Sequence, residues 1–307
     1  MFKKTLLILT TLSSLAIADI YDLKPQKITK DITCFIGDFN PPTKENKGFV
    51  SNVCYVDMGK TVVVIEAGPT YNFAKELNEV IKKELNKKVT HVITTNFHDD
   101  RYTGASYYKE KNIPIVAHKT IVEELEKNPG KFYRIPKVTT KEEYAKSKVV
   151  EPDILTENRY TIKGSNKTIE ILKLSPGSNS KSDISVYVVE DKFIFTGNTV
   201  FNGRFIKYGK NSNINNWIAA LEKLKTLDIK YNLGGHGGEY DKSSYKNNLE
   251  YLKLLKKSVR EAYENDVERE DINKYVDDKK FSFYNHYETL SKYNAKAYYD
   301  QLEWEIE

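Results

Sequence analysis

Long apolar runs are missing from this chain. A membrane span wants roughly 20 consecutive apolar residues, and the run from Thr5 to Leu15 is too short and too rich in Thr and Ser to supply one, while no later segment comes closer. Charge of one sign is also missing. Lys and Arg number 48 against 43 Asp and Glu, a formal +5, too slight to argue for nucleic acid or a membrane surface as partner. The glycine spacings that cradle a dinucleotide or a nucleoside triphosphate are absent. So are an internal repeat, a linker and any composition that marks disorder. The 22 tyrosines are spread along the chain and form no basic-aromatic stripe. Cysteine is limited to Cys34 and Cys54.

What is present begins with MFKKTLLILTTLSSLAIA, residues 1–18. A basic start, a short apolar run and a small-x-small ending at Ala16-Ile17-Ala18 are the pattern of a secretory signal peptide. Loss of Lys3 and Lys4 with it brings the rest to about +3. No cysteine stands at the cleavage point, which argues against a lipoprotein. The expected location is therefore periplasmic or secreted, where disulfides persist. A Cys34–Cys54 bridge would close a loop of about 20 residues and contribute roughly 3 kcal/mol; two buried thiols on neighbouring strands are the alternative, because strand register decides between them.

The remaining 289 residues, with 39% hydrophobic and 12% aromatic content across the chain, suffice for a full core. DITCFIGDF, VSNVCYVDMG and TVVVIEAG read as strands around a Pro-rich loop. Phe73, Leu77, Val80, Ile81 and Leu85 recur at helical spacing, the strand VTHVITT follows, and a helix over 105–111, the strand IPIVAH and a helix through IVEELEKN complete a β-α-β-α run. RYTIKG, TIEILKL, DISVYVVED and KFIFTGN then read as an antiparallel meander. The helix INNWIAALEKLKTL, the glycine-rich loop of KYNLGGHGGE and the helix YKNNLEYLKLLKKSVREAYEN close the body. This order predicts an α/β (α+β) fold: one four-layer αβ/βα sandwich over 19–265, with two mixed sheets flanked by helices. Residues 266–307 read as a C-terminal helical extension packed on that domain.

TTNFHDDRYTG, residues 94–104, puts a histidine and two aspartates on a strand-to-helix turn. Metal-dependent hydrolysis needs imidazoles and carboxylates aimed at one open-sided ion, which lowers the pKa of bound water to about 7. This segment resembles the HxHxDH motif of the metallo-β-lactamase superfamily, and four further segments resemble its signatures in the same chain order. Glu66-Ala67-Gly68 is similar to its Asp-x-Gly, Ser175-Pro176-Gly177-Ser178 to its Pro-Gly-His turn, Phe195-Thr196-Gly197-Asn198 to Phe-Thr-Gly-Asp, and Gly234-Gly235-His236-Gly237 to Gly-His-Gly. ENKGFVSN (45–52) and QLEWE (301–305) look most like the exported quinoprotein-relay or sulfur-oxidation-associated zinc metallohydrolase branch.

The resemblance implies a small set of site residues. His98, Asp100 and His236 match ligand positions, a His₂-carboxylate set for one ion at most, zinc or iron. Asn96, Ser178 and Asn198 stand as altered ligand positions lining the cleft. Asn96 before and Arg101 after the aspartate resemble the mono-zinc carbapenemase subclass, which has a cysteine where Asn198 stands here. Catalytic roles would fall to Asp100 as ligand or general base and to Arg101 as a clamp on an anionic substrate group. Two readings follow. One is an exported hydrolase-like protein with a reduced metal site, in which water attacks a small-molecule ester, thioester or amide. The other is a non-catalytic relative that keeps the fold and binds a small anion or a periplasmic partner such as a redox enzyme. His91, His118 and His286 are not expected as ligands.

Overall fold

The computed structural model describes residues 20–127, 132 and 134–306. The segment expected as a signal peptide, 1–18, lies outside the described residues. Among those residues no helix is long and apolar enough to cross a membrane.

Among the described residues, twelve strands form two sheets. The first runs in chain order through β1 (Gln26–Lys27), β2 (Ile32–Phe35), β3 (Val53–Asp57), β4 (Thr61–Ile65), β5 (Lys88–Ile93), β6 (Ile115–His118) and β7 (Ile154–Thr156). It is antiparallel up to β4 and parallel from β4 to β7. The second is ordered β12 (Tyr231–Leu233), β11 (Phe193–Phe195), β10 (Ser185–Val188), β9 (Thr168–Leu172), β8 (Arg159–Lys163). Strands β8 to β11 are the antiparallel meander read from sequence, while β12 joins β11 in parallel.

Period-2 alternation explains the layering. On β4, Val63 and Ile65 enter the core between the sheets, together with Val186, Val188 and Phe195 of the second sheet. Val62 and Val64 face the other way, onto Phe73, Leu77 and Ile81 of helix α1 (Tyr71–Leu85). Thr70 caps that helix by accepting from the Phe73 amide, and Asn86 ends it in the left-handed region. Two short helices, α2 (Asp99–Tyr102) and α3 (Ala105–Glu110), follow β5, and α4 (Ile121–Lys127) follows β6. The outer face of the second sheet is covered by α5 (Ile214–Leu224), α6 (Lys246–Glu264) and α7 (Tyr287–Ile306). Two mixed sheets flanked by helices are thus the observed architecture. Cys34 and Cys54 are direct partners across β2 and β3 and are joined by a disulfide.

Weak periodicity hides the strength of α7. Its packed face uses Tyr298, Tyr299, Asn294 and Leu302 rather than a run of aliphatics, so the polar atoms need partners inside. Asn294, fully buried, donates to the Ile206 carbonyl and the Tyr251 hydroxyl and accepts from the Tyr208 amide, at 2.8–2.9 Å. The extension is thereby bonded to the loop after β11.

Candidate functional site: a buried guanidinium at the base of a cleft

The C-terminal ends of two parallel strand pairs, β4 with β5 and β11 with β12, deliver four loops to one edge of the sandwich. Glu66 follows β4, Thr95 to Arg101 follow β5, Asn198 follows β11 and His236 follows β12. Two close approaches fix these loops. Gly68 has φ +79°, and a Cβ there would lie 2.1 Å from the Phe73 ring. Gly237 has φ +88°, and a Cβ there would lie 1.7 Å from the Asn202 carbonyl oxygen. Asn52 ties the last loop to the first sheet, its amide donating to the carbonyls of Gly234 (2.9 Å) and Gly237 (2.7 Å).

A cleft of about 770 Å3 opens over this edge. His98, Asp100, Asn198 and His236 line its floor, joined by Arg134, Asn179 and Arg204. The three residues expected to share an ion therefore meet in one place. Their donors are engaged separately: Arg101 stands beside His236 and Asp100, and Asn198 meets His98 Nδ1.

Arg101 is fully buried. One terminal nitrogen of its guanidinium donates to Glu66 Oε1 at 3.2 Å and Thr95 Oγ1 at 3.4 Å. The other donates to Asn198 Oδ1 at 2.7 Å and lies 3.2 Å from His236 Nε2. The His236 ring is oriented from behind: its Nδ1 is 2.7 Å from the Val50 carbonyl oxygen, which can only accept, so Nδ1 carries the proton and Nε2 offers its lone pair to Arg101. Burial, then the charges of Arg204 and Arg101, pull the pKa of His236 well below its ordinary value, so the ring is neutral. The lone pair that a metal would use is engaged by a guanidinium.

Asn198 completes the arrangement through both ends of its amide. Its oxygen faces Arg101, while its nitrogen donates to His98 Nδ1 (3.0 Å) and Asn179 Oδ1 (3.1 Å). Asp100 Oδ1 accepts from Arg134 at 3.1 Å, and Oδ2 lies 3.8 Å from Arg101 and 4.0 Å from His236 Nε2. Burial raises the pKa of Asp100, but Arg101 and Arg134 outweigh it and hold the carboxyl well below the usual range. Its neighbour Asp99, bonded to Arg134, is pushed up to about 6 by burial against the pull of that arginine. Glu66 is pushed up to about 7, burial outweighing Arg101 and the two donors from Thr95.

Several expectations from sequence are corrected by this geometry. Asn96 and Ser178 do not line the cleft; they are buried behind it, where Asp183 accepts from the Asn96 amide at 3.0 Å and the Ser178 hydroxyl at 2.7 Å. Of the altered positions only Asn198 faces the opening. Arg101 is no clamp for a substrate, since it is fully buried and both its terminal nitrogens are engaged by Glu66, Thr95, Asn198 and His236. Asp100 is a poor general base, because a base works best with a pKa near the operating pH. A metal does not fit His98, Asp100 and His236 either. Among the described residues no three His, Cys, Asp or Glu side chains come together as a metal-binding group, and the positive charge that an ion would bring is already there on Arg101.

Arg134, Asn179 and Arg204 were not visible as site residues. No motif marks them, and each reaches the floor from a loop far along the chain. Arg204 differs from Arg101 and Arg134 in making no ion pair among the described residues, and its Nε, like that of Arg101, is buried with no hydrogen-bond partner. Burial, with Arg134 and Arg101 nearby, lowers its pKa against the opposing charge of Asp100.

Comparison with known proteins agrees with this architecture. A metallo-β-lactamase type 2 from Bacillus sp. (strain 170) is 26% identical over 222 residues, covering 71% of this chain and 77% of that protein. Among solved structures, a metallo-β-lactamase from Pontibacter korlensis superposes with a TM-score of 0.62 at 19% identity, covering 75% of this chain and 99% of that one. The DIM-1 metallo-β-lactamase does so with a TM-score of 0.60 at 17% identity, covering 75% and 97%. Residues 46–236 match the family described as the metallo-beta-lactamase superfamily. That match spans all four loops of the cleft, and the chain belongs to the metallo-β-lactamase superfamily of hydrolase-fold proteins.

Proposed function

We propose that this chain is a metallo-β-lactamase-fold protein whose cleft binds a small anion and has no resident metal-hydroxide chemistry. One observation carries the reading: the Arg101 guanidinium, wholly buried, is bonded to Asn198 and sits 3.2 Å from the Nε2 lone pair of His236. A fixed cation beneath the floor, with Arg204 lining the cleft and making no ion pair among the described residues, favours an anion. The neutral His236 imidazole and the Asn198 and Asn179 amides supply hydrogen bonds but no activated nucleophile. Work outside the cytoplasm is part of the proposal, supported by the leader-like residues 1–18 and by the Cys34–Cys54 bridge. The resemblance to the exported quinoprotein-relay and sulfur-oxidation-associated branch makes a periplasmic redox enzyme the partner to seek by co-purification.

The test has two arms. Carboxylate or phosphate should raise the melting temperature of the wild-type chain and not of Arg204→Met, since a ligand stabilises by RT ln(1 + [L]/Kd). Calorimetric titration with zinc should show no 1:1 uptake, and zinc should induce no turnover of esters, thioesters or lactams. Uptake of one zinc per chain, lost in His236→Ala together with turnover, would return the protein to the hydrolases.

A further inference from the structure

The family match ends at residue 236, yet the cleft does not. Its far wall comes from the C-terminal extension: His286, Thr289, Leu290 and Tyr293, one face of α7 and the residue before it, line the same opening as the arginine floor. Pro41 and Pro42 line it too. The floor carries arginines, and Pro41, Pro42, Leu290 and Tyr293 give the wall an apolar and aromatic stretch beside the polar His286 and Thr289.

The extension also sets the position of Arg204. Gly203 accepts from the Asn285 amide at 3.0 Å and from the Asn285 side chain at 2.7 Å, and the Phe205 amide donates to the Asn285 carbonyl at 2.9 Å. Asn294 then brackets residues 206–208 from α7, as described above. Arg204 is thus held on both sides by the segment that supplies the wall. Lys207 reaches over the same wall, with its Nζ 5.4 Å from the Tyr293 ring centre. Tyr293 itself keeps 45% of its surface exposed, an aromatic face turned to the opening rather than consumed by the core.

We infer that the ligand of this cleft is a carboxylate monoanion with an apolar body, gripped at its head by Arg204 and selected along its length by Leu290 and Tyr293 of α7. The inference rests on the anion-binding reading above and adds the ligand's shape and charge. Charge follows from the pairing: Arg101 serves Glu66, Arg134 serves Asp99 and Asp100, and of the three arginines Arg204 is the one without an ion pair among the described residues, while Lys207 and Lys210 stand at the lining beyond it. One planar guanidinium matches one carboxylate through two parallel hydrogen bonds. Length follows from the volume, since about 770 Å3 exceeds what a bare carboxylate fills and lies within the range of pockets that enclose whole small molecules. Apolar character follows from the wall, where each buried methylene adds to affinity.

Calorimetric titration of the mature chain with acetate, hexanoate, phenylacetate, inorganic phosphate and hexanol decides the matter. Hexanoate and phenylacetate should bind at least tenfold tighter than acetate, tighter than phosphate, and hexanol should not bind measurably. Arg204→Met should weaken hexanoate at least tenfold while melting as the wild type does. Tyr293→Ala, at a half-exposed position, should shrink the hexanoate-to-acetate ratio to less than threefold. Equal affinity for acetate and hexanoate overturns the wall while leaving the anion reading in place. Phosphate binding tighter than any carboxylate overturns the monoanion head. Hexanol binding as well as hexanoate removes the role of Arg204. Binding of none of the five removes both this inference and the reading beneath it.

Discussion

Replacing Arg101 by Met should destabilise the protein while leaving its fold intact. The side chain is fully buried, and Met preserves most of its stem while deleting the guanidinium. Four acceptors each lose a donor: Glu66 Oε1, Thr95 Oγ1, Asn198 Oδ1 and His236 Nε2. Breaking a buried ion pair from one side costs about 3–5 kcal/mol, because the other charge stays behind unpaired. Glu66 softens the loss. It keeps two donors from Thr95, and with its pKa already raised to about 7 by burial it can take up a proton at modest cost. The expected loss near neutral pH is therefore in the lower half of that range, about 3–4 kcal/mol, or roughly 6–8 °C in melting temperature for a chain of this size. Adding Glu66→Gln should recover roughly 1–2 kcal/mol, the coupling expected of residues in direct contact. Urea unfolding followed by the fluorescence of buried Trp217 measures both. If Arg101→Met is within about 0.5 kcal/mol of wild type, a spread ordinary for surface changes, the guanidinium is not where it has been described.

Other perturbations probe the frame of the cleft. Gly237→Ala should cost several kcal/mol or abolish folding, since its Cβ would overlap the Asn202 carbonyl in a left-handed turn; an unchanged melting curve would refute the loop's geometry. His118 has its pKa lowered to about 4, by burial first and by Lys173 and Lys119 second. The unfolded chain then binds more protons than the folded one between about pH 6.5 and 4, so this group's contribution is complete above 6.5 and lost on acidification. His118→Gln should flatten the stability profile in that window, and an unaltered profile would assign the acid sensitivity elsewhere. Reduction of Cys34–Cys54 should cost about 3 kcal/mol for a closed loop of its length, read as a lower urea midpoint with dithiothreitol present; coincident curves would mean that the bridge constrains nothing.

The layers of the fold were legible because hydrophobic period and turn residues encode them locally. The alternation in TVVVI and the helical spacing from Phe73 to Leu85 each sort one set of side chains to the inter-sheet core and another to the flanking layer. β7 escaped notice because only Ile154–Thr156 form it, too short for a period to show. α7 was weakly marked because buried tyrosines and Asn294, satisfied by hydrogen bonds, stand where aliphatics would have given a pattern.

The cleft was legible in its address and illegible in its contents. The glycines and aspartates of TTNFHDDRYTG and GGHGG locate the loops, since a tight turn demands those residue types. Which way a side chain turns at such a place depends on partners far away in sequence. Arg101 turns inward because Glu66, 35 residues earlier, and Asn198, 97 residues later, offer acceptors there. Arg134 and Arg204 carry no local signal at all, and their roles come from the loops that bring them over Asp100 and from the anchoring of residues 203–208 by the extension.

The central claim, that an arginine stands where a metal hydrolase keeps its ion, is tested most directly by diffraction at the zinc absorption edge from crystals grown with excess zinc. The account predicts Arg101 within hydrogen-bond distance of Asn198 Oδ1 and His236 Nε2, with no anomalous peak on the cleft floor. A peak bonded to His236 and Asp100, with the guanidinium swung aside, would contradict it.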